Sequence, residues 1–206
     1  MEILILVFSL VIDSFVASIA YGADKIKIPN LSVIIINVVS CAMLAISLLL
    51  GNYLENIMPK FLPKYISFFI FICLGIYKLF EVFFKKYISN FSKLDKPLTF
   101  KLFDFKFALT VYIDETKADF DKSKKISIKE SIYLALALSI DSLAVGFGAS
   151  FLSINPLLLL IASFLLGILA IKLGCYIGSN VLKKQTNTDL SWLSGICLLL
   201  IAFLKL

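Results

Sequence analysis

The sequence predicts an all-α integral membrane protein of six transmembrane helices, and three observations carry that expectation. The 206 residues are 60% hydrophobic and 17% charged, with a mean hydropathy of +0.98, against about 45–50% apolar and about 25% charged in soluble domains. Apolar runs long enough to cross a bilayer, which takes about 20 residues, fall at 3–22, 31–51, 65–84, 131–152, 156–176 and 190–205. Two of these runs carry one aspartate at their centre followed by serine, Asp13-Ser14 in the first and Asp141-Ser142 in the fourth.

The first run reads as a retained span and not as a cleaved leader. Glu2 stands where a leader carries basic residues, and Asp13 interrupts the apolar core that a leader needs. The second run follows Ile28-Pro29 and adds Asn37, Ser40 and Ser47; the fifth follows Asn155-Pro156 and adds Ser163. The third carries Lys78 and Glu81 and the fifth Lys172 close to one end, where long side chains are expected to reach the interface by snorkelling.

The chain also repeats itself. Ile28-Pro29, Gly51 and Lys78-Leu79 match Asn155-Pro156, Gly178 and Lys205-Leu206 at a single offset, and Asp13-Ser14 matches Asp141-Ser142 one residue away from it. Three spans per repeat place the second copy on the opposite side of the membrane, so residues 1–84 and 131–206 are expected to be inverted repeats, a common transporter architecture with its site near the bilayer midplane. A loop at 85–130 joins them. Lysines concentrate after spans one, three and five, which by the positive-inside rule makes that face and the long loop cytoplasmic and puts both termini outside.

A carboxylate at the centre of a span is costly and usually marks an ion or substrate path. Residues three and four apart share a helix face, and the faces of Asp13 and Asp141 hold mostly small residues that permit close helix approach. The expected midplane site is Asp13 and Asp141 with Ser14, Ser142, Asn37 and Ser40 as further oxygen donors. With no histidine in the chain, such a set suits hard divalent cations such as manganese, magnesium or calcium over zinc or copper. The competing reading is that the aspartates are protonated and join neighbouring helices as structural glue.

The loop carries a second candidate site. Asp119-Phe120-Asp121-Lys122-Ser123-Lys124-Lys125-Ile126-Ser127-Ile128-Lys129-Glu130 has the spacing of an EF-hand calcium loop, with Asp119, Asp121, Ser123, Ser127 and Glu130 as oxygen donors. Lys124 occupies the position where glycine makes the sharp turn. Ser127 and Glu130 also form a capping box that would start the fourth span. Upstream, residues 99–113 alternate apolar and polar, which favours a short strand over an interfacial helix.

All 20 basic residues are lysine. Flanking apolar spans, they suit anionic headgroups and not nucleic acid. Cys41, Cys73, Cys175 and Cys197 lie in apolar segments without a CxxC pair and read as reduced core thiols. An enzyme is not expected, since histidine is absent and no nucleophile arrangement is recognisable. No Walker-type loop is present either, so any transport would draw on ion gradients or a partner.

On these residues the chain resembles the YtaF family of sporulation membrane proteins, related to MntP-type manganese exporters and to the LysE-like exporters. The segments that carry the resemblance are IDSFVASIAYG with the following KIKIP, ADFDKSKKISIKE and ALSIDSLAVGFGAS. It implies six spans and an exporter ancestry, with the paired aspartate motifs of the manganese exporters falling on Asp13 and Asp141. Three functions follow as expectations: export of a divalent cation, most plausibly manganese; export of amino acids or other small solutes; or a non-transporting membrane protein with a calcium-responsive loop. The partners implied are the cation, the bilayer and a second copy in a homodimer. No cofactor is required, with Mn2+ as cargo and Ca2+ as a candidate ligand of the loop.

Overall fold

The structure is a computed structural model, and it describes residues 2–59, 61–91, 118–119, 123–152, 154–180 and 191–204 (backbone only at 2, 81–91 and 191–194). The alternating segment 99–113 and Asp121 lie outside these residues. Among the described residues there are six helices: α1 Glu2–Ala23, α2 Asn30–Glu55, α3 Leu62–Phe91, α4 Ile128–Ser150, α5 Pro156–Asn180 and α6 Ser191–Leu204. The first five are long and apolar enough to cross a membrane, and α6 is a shorter apolar helix.

Local chemistry sets the helix starts. Ser127 caps α4 through a capping box: its hydroxyl accepts from the Glu130 N–H at 3.4 Å, and Glu130 Oε2 accepts from the Ser127 N–H at 2.8 Å. Asn155 caps α5, its Oδ1 accepting from the N–H groups of Leu157 at 3.0 Å and Leu158 at 3.3 Å. Pro156 follows at the first helical position, where its missing N–H costs nothing. Pro29 sits in an extended conformation ahead of α2.

Among the described residues, every substantial helix interface joins one of the first three helices to one of the last three. The main pairs are α1 with α5, α2 with α4, and α3 with α6. Small residues bring the backbones together, as in membrane helix pairs generally. A Cβ on Gly22 of α1 would lie 3.0 Å from Gly178 Cα of α5, and one on Gly195 of α6 would lie 2.8 Å from the carbonyl oxygen of Gly75 in α3. In the α2–α4 pair Gly51 abuts Ser150, and the Ser47 hydroxyl donates to the Leu143 carbonyl.

The buried core forms two clusters. One gathers Leu6, Leu44, Phe71, Val145, Leu159 and Leu198, and the other Tyr21, Ile26, Ile36, Ile126, Leu134 and Ile171. The outward faces are also apolar, with Leu49, Phe69, Leu157 and Phe203 largely exposed, a pattern that lipid satisfies and water does not. At the lysine-rich face the loop after α1 binds the segment before α4. The Lys27 backbone N–H donates to the Lys124 carbonyl at 2.8 Å, the Ile126 backbone N–H donates to the Lys27 carbonyl at 3.0 Å, and the Ser32 hydroxyl donates to the Ile126 carbonyl at 3.0 Å.

Candidate functional site

Asp13 and Asp141 stand near the middle of α1 and α4, and both meet the same cation. Lys78 Nζ of α3 donates to Asp13 Oδ2 at 2.9 Å and also to Asp141 Oδ2. The lysine is 3% exposed, and the two carboxylates are 12% and 13% exposed. A buried ion is tolerable only when it is paired and hydrogen-bonded, and here one ammonium serves two acids.

This overturns the expectation that Lys78 snorkels to the interface. The expected third span ended at 84, only six residues past the lysine, whereas α3 runs on to Phe91. At 1.5 Å per residue, Lys78 lies about 24 Å from the first residue of α3 and about 20 Å from the last, too far to reach an end. The helix is closed over it by α6, where Gly195 has no side chain. A Cβ there would sit 3.1 Å from Lys78 Cβ. Lys172, by contrast, is exposed, and the Glu81 side chain lies outside the described residues.

The neutral donors expected beside the aspartates line a separate cavity. Ser14, Ser142, Asn37 and Ser40 surround about 30 Å3 together with Cys41, Ser163, Gly167 and the apolar Leu10, Val11, Leu44 and Leu138. That is room for one water-sized occupant. Successive helical residues point about 100° apart, so Asp13 and Asp141 face α3 while Ser14 and Ser142 turn toward α2 and α5. Of the six expected midplane residues, two therefore meet Lys78 and four line the cavity.

Inside the cavity wall, Asn37 Nδ2 donates to the Val33 carbonyl at 2.8 Å, and the Ser40 and Ser139 hydroxyls share a hydrogen bond of 3.0 Å. Gly167 is where the Asn37 carboxamide docks, since a Cβ there would collide with Asn37 Oδ1. Cys41 Sγ lies 3.9 Å from Ser163 Oγ. Sequence reasoning placed Cys41 in an inert core, although its position four residues after Asn37 already put both on one face.

In the loop, Asp119 and the residues from Ser123 onward are described. Asp119, 8% exposed, accepts through Oδ1 from the Ser123 N–H at 3.0 Å and through Oδ2 from the Lys124 N–H at 3.1 Å. Lys124 has φ 61°, the left-handed conformation that glycine ordinarily supplies at this position. Its Nζ donates to the Asp24 carbonyl at 3.0 Å. Ser127 and Glu130 serve the cap of α4 as described. Among the described residues, no three acidic or cysteine side chains are grouped to hold a metal ion.

Comparison with known proteins adds the following. A family model described as "Putative manganese efflux pump" matches residues 60–206, more than half of the chain. The chain is 29% identical over 207 aligned positions to "Probable sporulation protein YtaF" of Bacillus subtilis (strain 168), with 100% of this chain and 98% of that protein covered. No solved structure matches.

Proposed function

The chain belongs to the MntP family, and from that premise we propose that it is a secondary transporter exporting a divalent cation, manganese first, with Asp13 and Asp141 as its charged ligands. One observation carries the reading: the two aspartates, from opposite halves of the chain, converge on a single buried positive charge. A structural tether would need only one acid per base. Two acids on one point can instead neutralise a divalent ion, and carboxylate oxygen is a ligand that manganese prefers over softer metals. Ser14, Ser142, Asn37 and Ser40 supply neutral oxygen beside the path.

The reading includes two inverted repeats, supported by reciprocal contacts. Gly22 of α1 meets Gly178 of α5 as Ser150 of α4 meets Gly51 of α2; Gly51 and Gly178 correspond under the repeat offset, and Gly22 and Ser150 under the offset of the aspartate motifs, one residue longer. It also includes a cytoplasmic lysine-rich face with both termini outside, and a place in sporulation by kinship with the Bacillus subtilis relative. An amino-acid cargo is less well served, because its carboxylate would need a buried cation and Lys78 is already held by two aspartates.

The test is protection of a manganese-sensitive bacterium, with membrane levels of each variant measured alongside. Asp13→Asn and Asp141→Asn should each abolish protection while reaching the membrane. Protection equal to wild type in both would remove the aspartates from the transport path. A second reading, calcium binding by the loop, is favoured by the left-handed turn at Lys124 and the seating of Asp119 beneath it. Calcium titration of wild type against Asp119→Asn tests it, and identical isotherms would exclude it.

A further inference from the structure

The place that a shared cation must take between Asp13 and Asp141 is already filled. Metal–oxygen bonds to carboxylates run about 2.0–2.6 Å. An ion held by Asp13 Oδ2 and Asp141 Oδ2 together would centre on the position of Lys78 Nζ, which is 2.9 Å from the first oxygen and in contact with the second. Two positive centres cannot occupy that point together, both for space and for charge. With the three side chains charged, the triad carries −1. A divalent ion added beside the ammonium would raise it to +1, and one replacing the ammonium brings it to zero. Exchange is the arrangement that leaves the least uncompensated charge at the two carboxylates themselves.

We propose that Lys78 is a tethered counter-cation of the transport site, occupying the aspartate pair whenever the metal is absent and displaced from it when the metal binds. This rests on the aspartates being the metal ligands, as proposed above. The ammonium performs two tasks. It competes with the incoming ion, which weakens binding and so permits release on the far side. It also neutralises half the charge of the empty site, so that the unloaded carrier can return without a second ion. Gly195 makes the arrangement possible by letting α6 close over the lysine stem.

Purified Lys78→Met and Lys78→Gln variants distinguish a competitor from a scaffold. Removing a competing charge should tighten Mn2+ binding by roughly tenfold or more in titration calorimetry, whereas removing a group that positions the ligands should weaken it. Without metal both variants should melt below wild type, and saturating Mn2+ should raise their midpoints by more than it raises that of wild type. In liposomes, net Mn2+ efflux should fall by more than exchange of Mn2+ for Mn2+ across the bilayer, because both need release of the ion but only net efflux includes the unloaded return step. Lys78→Gln retains hydrogen-bonding capacity and serves where Lys78→Met fails to fold.

Affinity equal to or weaker than wild type in the Lys78 variants, with Asp13→Asn and Asp141→Asn abolishing binding, would overturn the counter-cation and leave the aspartate site intact. Affinity unchanged in the aspartate variants, or no Mn2+ binding by wild type, would overturn the site itself and the counter-cation with it. Exchange falling as far as net efflux in the Lys78 variants would also refute the assigned return step.

Discussion

Neutralising the three buried charges together separates what they do for the fold from what they do for transport. The 2.9 Å separation between Lys78 Nζ and Asp13 Oδ2 corresponds to a gross attraction of about 6 kcal/mol at an effective dielectric of about 20, most of which desolvation cancels. In Asp13→Asn or Asp141→Asn alone, Lys78 keeps the other carboxylate, so the expected loss is about 1–2 kcal/mol. The double variant leaves a lysine that is 3% exposed facing two amides, an uncompensated buried charge with an expected cost of about 3–5 kcal/mol. In a chain of this size each kcal/mol moves the thermal midpoint by about 2–4 °C. The single variants should therefore fall by a few degrees and the double by about 6–20 °C, more than the sum of its parts. Adding Lys78→Met removes the orphaned charge and should bring the midpoint back to within about 5 °C of wild type. The assay is thermal unfolding in detergent, paired with manganese efflux from loaded liposomes. The triple variant should be well folded and inactive. A double variant no worse than the sum of the singles would refute the shared lysine, and a triple variant that exports manganese would reduce all three residues to packing.

Gly178→Val should lower the midpoint by an amount corresponding to about 1–3 kcal/mol, because its Cβ would press on the backbone of α1 at Ala23 N, 2.9 Å away, and Gly22 Cα, 3.0 Å away; a midpoint equal to wild type would show that α1 and α5 separate freely. Gly167→Ala should leave the midpoint nearly unchanged, since only the end of the Asn37 side chain must yield, yet slow manganese efflux by displacing that carboxamide from the cavity. Unaltered efflux would take the cavity off the path. In Lys124→Gly, relief of the left-handed strain of about 1 kcal/mol is offset by a comparable gain in unfolded-state entropy, so stability should barely change. Calcium affinity should rise in that variant if the loop binds the ion, and identical titrations would count against the loop.

The sequence made the helices and their starts legible because those depend on local patterns. Apolar runs located the helices to within a few residues at most ends, and Ser127 with Glu130 announced the start of α4 through the spacing of a capping box. Asp13 and Asp141 were conspicuous because hydrocarbon makes any carboxylate an exception. Lys78 was not, because a lysine some six residues from an expected span end has an ordinary explanation in snorkelling. A charge argument could have recovered it: two ionised buried acids call for a nearby base, and Lys78 was the lysine deepest inside the first three expected spans. The division of the expected donors between two faces depends on the rotation of α1 and α4 against α2, α3 and α5, which tertiary packing sets and no local pattern encodes.

The interleaving of the two halves has a consequence for how the protein is made. During synthesis α1, α2 and α3 enter the membrane without their main partners, since each packs chiefly on a helix not yet translated. At about 5–20 residues per second, the 113 residues from Phe91 to Leu204 take roughly 6–23 s to emerge. Through that interval Gly22, Gly51 and Gly75 face lipid or the insertion machinery and not the backbones they are shaped to meet. The ribosome thus delivers the first half as an unfinished lock, and the second half assembles it while inserting. A chain stopped after Phe91 should be cleared by membrane proteases, and two separately encoded halves should accumulate only when produced together.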